Sequence, residues 1–137
     1  MVQIPKKGLR IAHINITSIR NKFDEIKEIL LVYNLNVLAI LETRLDNSFS
    51  DEELAIPGYC LFRKDRNRHG GGVAFFIQDN LPAREKKDLS EYNLETIWLE
   101  VHVPYVKPLL IGCCYRPPNG DCNYINAIGV MLEKSST

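Results

Sequence analysis

The segment Asn36-Val37-Leu38-Ala39-Ile40-Leu41-Glu42-Thr43 decides the fold class of this chain. Its run of consecutive apolar residues, bounded by polar ones, is typical of a strand that is buried on both faces, as strands in parallel sheets are. Glu42 then lies at the carboxyl end of this strand, where ligands of open α/β sheets bind. The alternative, an acid on a solvated loop, stays open at this point.

The residues before this segment complete a βαβ unit. Residues 9–16 are rich in β-branched side chains and predict a first strand that ends at Asn15. An apolar stripe at helical spacing predicts a helix from an N-cap at Asn21 to about Tyr33. Because the crossover in such a unit makes the two strands parallel, we expect Asn15 and Glu42 at the same edge of the sheet.

The residues after Thr43 predict hairpins and one more helix. Ser50-Asp51-Glu52-Glu53 is a capping-box signature for a short helical turn. Gly70-Gly71-Gly72 precedes a strand pattern and not a helix, so it indicates a hairpin bend or bulge instead of a phosphate cradle. The whole pattern predicts a single mixed α/β sheet with flanking helices. Its later elements are strands at 59–66, 73–78, 96–103 and 109–115, a connection at 79–95, and a helix at 124–134.

Length and composition describe an ordinary globular domain. The chain has 137 residues, and its 17 basic and 17 acidic residues cancel, so net charge names no partner. No apolar run approaches the roughly 18 residues of a membrane span, and the first residues lack the apolar region of a signal peptide. We therefore expect an intracellular protein, nuclear or cytoplasmic, that is not secreted and has no membrane partner. The four cysteines show no metal-ligand spacing and are interpreted as structural. The three histidines, on predicted strands and a turn, are also interpreted as structural.

Six short stretches carry a resemblance to the endonuclease/exonuclease/phosphatase superfamily, and within it to the endonuclease domain of LINE-type non-LTR retrotransposons. They occur in that family's order and at its spacing, and they cover nearly the whole chain. They are His13-Ile14-Asn15-Ile16, Leu38-Ala39-Ile40-Leu41-Glu42-Thr43-Arg44-Leu45, Ala55-Ile56-Pro57-Gly58-Tyr59, Phe62-Arg63-Lys64-Asp65-Arg66, Gly70-Gly71-Gly72-Val73-Ala74 and Tyr115-Arg116-Pro117-Pro118-Asn119.

The resemblance implies a fold and an activity. The fold is the N-terminal portion of a two-sheet α/β sandwich of the endonuclease/exonuclease/phosphatase type, with the second sheet largely missing and residues 1–137 forming a single truncated domain. The activity is DNA nicking by phosphodiester hydrolysis, dependent on Mg²⁺ or on Mn²⁺ in its place. In this family the endonuclease is associated with a reverse transcriptase.

The resemblance also implies three catalytic residues. Glu42 is the metal-binding carboxylate, Asn15 is the amide that helps to hold the metal and the phosphate, and Tyr115 is the phenol that hydrogen-bonds the scissile phosphate. Elementary chemistry agrees with these roles, because Mg²⁺ takes hard oxygen ligands and often only one or two protein carboxylates. Bound Mg²⁺ would polarise the phosphate and stabilise the leaving oxygen.

A run of basic residues near a predicted hairpin tip is the candidate DNA interface. Arg63, Lys64, Arg66 and Arg68 place four positive charges within six positions, and Arg116 follows the predicted catalytic tyrosine. Such residues can follow a DNA backbone by neutralising phosphates, without reading sequence. The alternative is a charged, solvated turn.

Two motifs that complete the family's site are missing from this sequence. Asp121-Cys122-Asn123 mimics the Asp-x-Asn motif, but it precedes a helix pattern and is interpreted as a turn and helix cap. No Ser-Asp-His motif occurs. Since hydrolysis needs a group that orients or deprotonates the attacking water, the chain is expected to be catalytically deficient as given. The alternative is a non-catalytic module, derived from such a domain, that binds nucleic acid or protein.

Two further expectations concern the branch of the superfamily and the surface of the fold. Thr17 stands where the apurinic-site branch carries an acid, and Tyr115-Arg116-Pro117-Pro118-Asn119 favours the retrotransposon branch over the phosphomonoesterases. With most of a second sheet absent, an exposed apolar face is expected, carried by residues such as Ile14, Ile40 and Ile111 or by their opposite-face neighbours, with aggregation or self-association as the outcome.

Overall fold

The computed structural model describes residues 9–66, 69–89, 95–104 and 107–114. Within these ranges the chain forms one α-helix and seven strands. Their order is β1 (Ile11–Asn15), α1 (Phe23–Val32), β2 (Val37–Leu41), β3 (Tyr59–Lys64), β4 (Val73–Gln78), β5 (Ala83–Glu85), β6 (Thr96–Val101) and β7 (Leu109–Cys114).

The first sheet is mixed and has the strand order β1-β2-β4-β3. β1 and β2 are parallel, with Asn15 opposite Leu41, which confirms the βαβ unit predicted from the sequence. β4 is antiparallel to both β2 and β3. Because β4 runs against β2, the start of β4 lies beside the end of β2, where Glu42 follows.

The remaining strands form a second, antiparallel sheet in the order β5-β6-β7. The prediction of a single sheet is therefore wrong. β5 is a strand of three residues within the segment predicted as a plain connection. β6 buries one face, with Ile97, Leu99 and Val101 inaccessible to solvent. Such one-sided alternation is typical of a strand in a sheet that packs on another layer.

Two apolar cores lie on opposite faces of the first sheet. One core lies between the two sheets and contains Ala39 and Phe75 from the first sheet with Leu99 from the second. The other packs Ile26 and Leu30 of α1 against the opposite face of the first sheet. β2 is thus covered on both sides, which explains why its sequence is a continuous apolar run.

The second sheet changes one expectation about the surface. Ile40, predicted to lie on an exposed apolar face, is fully buried against the α1 layer. Ile14 and Ile111 are partly buried at the margins of the two cores. The large apolar side chains that are exposed in the described residues lie elsewhere, including Ile11 (49%) on β1 and Leu31 (82%) on α1.

Local details of the helical segments differ from the sequence prediction in one place. The N-cap of α1 is Lys22 and not Asn21, and its side chain makes no capping hydrogen bond. Instead, Lys22 Nζ donates to the Ile16 carbonyl at 2.8 Å. The predicted capping box is confirmed, because Glu53 N–H donates to Ser50 Oγ at 3.2 Å.

Some predicted features lie outside the described residues, namely the helix at 124–134 and the cap at Asp121-Cys122-Asn123. Among the helices that the structure describes, none is long and apolar enough to cross a membrane.

Candidate functional site

The chain segments that follow β1 and β2 run side by side. Beyond the strand ends, Ile16 N–H donates to the Leu41 carbonyl at 3.0 Å, and Ser18 N–H donates to the Glu42 carbonyl at 2.8 Å. These hydrogen bonds continue the parallel ladder past its last registered pair. They keep Glu42 next to the chain that leaves Asn15, as the sequence predicted.

The glycines just before β4 hold the Glu42 segment from its other side. Thr43 N–H donates to the Gly72 carbonyl at 3.2 Å, and Arg44 N–H donates to the Gly71 carbonyl at 2.9 Å. The Thr43 side chain is inaccessible to solvent. Glu42 therefore stands on a backbone segment that is anchored on both sides and is not an acid on a free loop.

Backbone strain is concentrated at these same segments. Glu42 (φ +57°) and Arg44 (φ +53°) are left-handed, and so are Thr17 (φ +49°) and Ser18 (φ +88°). Side-chain-bearing residues adopt this conformation rarely, at a cost on the order of 1 kcal/mol each or more, and functional sites are where such strain accumulates. The strain therefore supports a functional role for this edge of the sheet.

The amide of Asn15 is held by the residues that follow it. Asn15 is exposed at the last position of β1, and its Oδ1 accepts hydrogen bonds from Thr17 N–H at 3.2 Å and from Thr17 Oγ1 at 3.1 Å. Both contacts are local and turn the chain immediately after the strand. The amide is thus oriented at the same sheet edge as Glu42.

The donor set at this edge fits a hard divalent cation. A carboxylate at Glu42 and an amide oxygen at Asn15 are oxygen ligands of the kind that Mg²⁺ prefers, and Mg²⁺ commonly keeps water and phosphate oxygens for its other positions. Within the described ranges, no group of three or more His, Cys, Asp or Glu side chains is close enough together to hold a metal. Two protein donors would bind the ion weakly. Tyr115 lies outside the described residues.

Arg63, the first residue of the predicted DNA-binding run, has its guanidinium directed into the protein. It donates to both Asp65 carboxylate oxygens, at 3.1 Å and 2.6 Å, to the Phe49 carbonyl at 2.8 Å and to the Asp46 carbonyl at 2.9 Å. The hydrogen bonds with Asp65 raise the pKa of Arg63, against desolvation. These contacts give Arg63 a structural role, tying β3 to the loop after β2, and its contact with DNA stays a prediction.

The next basic residues of the run have acidic neighbours. Partial burial lowers the pKa of Lys64, although Glu85 and Glu95 oppose this shift. Arg66 is 45% exposed, and its Nε lies 3.3 Å from Glu95 Oε1. Local negative charge therefore offsets part of the positive potential. The other two predicted DNA contacts, Arg68 and Arg116, lie outside the described residues.

Sequence reasoning missed the part of the site that β4 and the second sheet contribute. Gly71 and Gly72 were assigned to a hairpin bend, and both do have positive φ there, but they also hold the Glu42 segment through their carbonyls. Their position just before the strand that pairs with β2 could have indicated this. Glu95, just before β6 of the second sheet, lies against Gly71, and no local sequence pattern signals such a contact.

Comparison with known proteins identifies the fold. No protein-family model and no curated protein matches the sequence. Among solved structures, the endonuclease domain of TRAS1, a telomere-specific non-LTR retrotransposon, is similar with a TM-score of 0.70 and 12% identity over 93% of this chain and 53% of that one.

Two other solved structures are similar over nearly the whole chain. The 3′ phosphatase NExo from Neisseria, bound to a product DNA hairpin, has a TM-score of 0.66 and 14% identity, covering 94% of this chain and 53% of its own. The AP endonuclease LMAP from Leishmania major has a TM-score of 0.61 and 12% identity, covering 91% and 44%. The chain spans about half the length of the solved structures it matches.

The predicted fold class is confirmed by this likeness. The chain has the α/β sandwich fold of the endonuclease/exonuclease/phosphatase proteins, with a mixed four-stranded sheet and a second sheet of three strands. The strand ends that carry Asn15 and Glu42 occupy the carboxyl edge of its parallel pair.

Proposed function

We propose that this chain supplies the metal-binding and phosphate-binding part of a phosphodiester-cleaving site of the non-LTR retrotransposon endonuclease type, with DNA as the substrate. The observation that carries the proposal is that Asn15 and Glu42 lie at the ends of neighbouring parallel strands. The backbone that follows both strands is strained, and the Glu42 segment is hydrogen-bonded on both sides. The solved structures with this fold include a retrotransposon endonuclease domain and a phosphatase bound to a DNA product.

Each residue has a separate role in this proposal. Glu42 supplies an oxygen ligand, and Asn15 supplies a second one when Thr17 Oγ1 releases the amide oxygen, which Thr17 N–H continues to orient. When bound, Mg²⁺ would act as a Lewis acid that polarises the phosphate and offsets negative charge on the leaving oxygen. Tyr115 is proposed to hydrogen-bond the same phosphate, and Arg66 is proposed to contact the DNA backbone, which binds cations without regard to sequence.

Efficient cleavage is not expected from these residues alone. The sequence contains no Ser-Asp-His motif, and the Asp-x-Asn at 121–123 precedes a helix pattern. Without a group that positions or deprotonates water, hydrolysis is expected to be slower by a factor on the order of 10² or more. We therefore propose binding of a divalent ion and of DNA with little turnover.

Nicking of supercoiled plasmid tests this proposal. We would compare the chain with Mg²⁺, the chain with EDTA, Glu42→Ala, and Glu52→Ala as a matched control on an exposed turn. We expect little or no nicking in any sample. Nicking that disappears with EDTA and in Glu42→Ala, but persists in Glu52→Ala, would support the metal site and contradict the expected deficiency.

A second candidate function is a non-catalytic module that binds nucleic acid. The observation that favours it is the small donor set, because the described residues hold no cluster of three metal-ligating side chains. Such a module would bind DNA equally well with Mg²⁺ or EDTA, and log affinity would fall with log salt by about 0.9 per neutralised phosphate. DNA binding that instead strengthens with Mg²⁺ and depends on Glu42 would favour the first function.

A further inference from the structure

Glu95 is an acidic residue whose carboxylate is enclosed by protein. It stands immediately before β6, its side chain is 14% exposed, and both of its oxygens are inaccessible to solvent. Within the described residues neither oxygen has a hydrogen-bond partner of good geometry, although Arg66 Nε lies 3.3 Å from Oε1. An exposed ion pair would keep its carboxylate in water and contribute little, whereas enclosing the charge is costly.

The enclosed carboxylate packs directly on the backbone of Gly71. A Cβ at Gly71 would overlap with Glu95 Oε1 and would lie 2.9 Å from Arg66 Nε. Gly71 also has a φ of +68°, a conformation that glycine adopts without steric cost. The side chains of Glu95 and Arg66 therefore pack closely against the left-handed Gly71 and leave no room for a side chain there.

Gly71 in turn holds the segment that carries Glu42. Its carbonyl accepts the hydrogen bond from Arg44 N–H at 2.9 Å, and the carbonyl of Gly72 accepts the one from Thr43 N–H at 3.2 Å. Arg44 is itself left-handed at φ +53° and depends on such contacts to stay so. A continuous set of contacts thus leads from Glu95, just before β6 of the second sheet, to Glu42, just after β2 of the first.

We propose that Glu95 is a positioning residue for Glu42. Together with Arg66 it packs on the Gly71 backbone and holds it in place, which is called here the seating of Gly71. The Glu42 segment, bonded to Gly71 and Gly72, then keeps its strained conformation. The importance of Glu42 rests on the proposed function, whereas the seating of Gly71 does not. A merely stabilising ion pair would affect unfolding of the whole domain. A positioning pair affects the Glu42 segment while the domain stays folded.

Amide hydrogen exchange tests the seating of Gly71 without any metal. In Glu95→Gln, which keeps the side-chain volume, we expect the amides of Thr43 and Arg44 to exchange about fivefold faster or more. The amides of α1 are expected to exchange at the wild-type rate. Glu85→Gln is the matched control, because Glu85 is also an acid close to Lys64, whereas the atoms nearest to a Cβ at Gly71 belong to Glu95 and Arg66. Unchanged exchange at these two amides in Glu95→Gln would overturn the proposal.

A second variant keeps this test decisive if Glu95→Gln fails to fold. Arg66→Gln removes the same ion pair from its more exposed side, since Arg66 is 45% exposed. We expect the same faster exchange at Thr43 and Arg44. Slow, wild-type exchange in a folded Arg66→Gln sample would contradict the proposed seating.

Mn²⁺ binding, followed by water-proton relaxation, tests the link to Glu42. We expect Glu95→Gln to weaken Mn²⁺ affinity about tenfold, the size typical of residues that orient metal ligands, and Glu85→Gln to change it less than about twofold. Equal weakening of Mn²⁺ affinity in both variants would mean that Glu95 acts only through its negative charge. That result would overturn the proposal that Glu95 positions Glu42. If the wild type binds no Mn²⁺ through Glu42, the proposed function fails, and the exchange result alone decides the seating of Gly71.

Discussion

Glu42 and Arg44 show at the residue scale how strain is maintained at this site. Each is left-handed, which costs on the order of 1 kcal/mol or more for a residue with a side chain. Thr43, between them, is fully buried, and its N–H and that of Arg44 donate to the carbonyls of Gly72 and Gly71, just before β4. Burial and hydrogen bonding of the middle residue thus offset the strain on both sides of it.

Gly71→Ala is predicted to destabilise the fold more than Gly58→Ala. Both glycines have positive φ, but a Cβ at Gly58 meets nothing within 4 Å, whereas one at Gly71 meets Glu95 and Arg66. We expect a loss of about 1–2 kcal/mol for Gly58→Ala from the backbone alone. For Gly71→Ala we expect about 2–4 kcal/mol, because overpacking is added. Urea unfolding measures both values, and equal losses would contradict the tight contact at Gly71.

Arg63→Gln is predicted to lower the free energy of unfolding by about 2–3 kcal/mol, because it removes charge-assisted bonds and leaves partly buried acceptors without a donor. The acceptors are Asp65 and the carbonyls of Phe49 and Asp46. Arg84→Gln is the control, since Arg84 pairs with Glu100 on the surface, where an ion pair contributes little to stability. Equal unfolding midpoints for the two variants would contradict the structural role of Arg63.

At the element scale, the sequence predicts elements whose burial is set locally and misses those set by the second sheet. β2 was predicted because two-sided burial makes its sequence a continuous apolar run, and the βαβ unit followed from helical spacing. β5 was missed because its residues, Ala83–Glu85, form a strand only by pairing with β6. Lys22 replaces the predicted cap because its amine bonds to Ile16, a tertiary contact with no local signature.

The candidate site was predictable to the same extent. Asn15 and Glu42 follow from chain order and parallel pairing, and the structure brings them to one sheet edge. The inward direction of Arg63 was not predictable, because its partners come from the loop at 46–51 as well as from Asp65. Charge in a sequence gives no direction for a side chain.

Cysteine labelling tests the packing of the second sheet on the first. Cys113 is buried, and burial, with a smaller contribution from Cys114, raises its pKa to about 12. Since the thiolate is the reactive form, Cys113 stays protonated and unreactive as pH rises to 9. Iodoacetamide at pH 8.5, read by peptide mass spectrometry, should therefore modify the exposed Cys60 and Cys114 and leave Cys113 unmodified. Rapid modification of Cys113 in the folded protein would contradict the packing of β7.

At the scale of the whole molecule, two sheet edges lie on the same side of the sandwich. Among the described residues, β1 is the last strand of the first sheet and β7 the last strand of the second, and between them is a groove of about 360 Å³ whose apolar lining includes Ile11, Leu41 and Ile111. Unpaired strand edges beside apolar surface are templates for pairing with another chain. The predicted self-association stays a prediction, now placed at this side of the molecule.

Sedimentation velocity across a concentration series tests this placement. We expect a concentration-dependent increase in sedimentation coefficient that Ile11→Glu abolishes, because a charge on β1 blocks the edge. Leu31→Glu is the control, since Leu31 is an exposed apolar residue on α1 away from the groove. Loss of association in Leu31→Glu but not in Ile11→Glu would place the contact elsewhere.

Mn²⁺ binding to the wild type, Glu42→Gln and Glu52→Gln tests the central claim most directly, that Glu42 anchors a divalent-ion site at the carboxyl edge of β1 and β2. Glu52 lies on an exposed turn, so its variant controls for the loss of one negative charge. We predict measurable binding in the wild type and in Glu52→Gln and its loss in Glu42→Gln. Equal binding in all three would contradict the claim, because the ion would then be held by charge elsewhere on the chain.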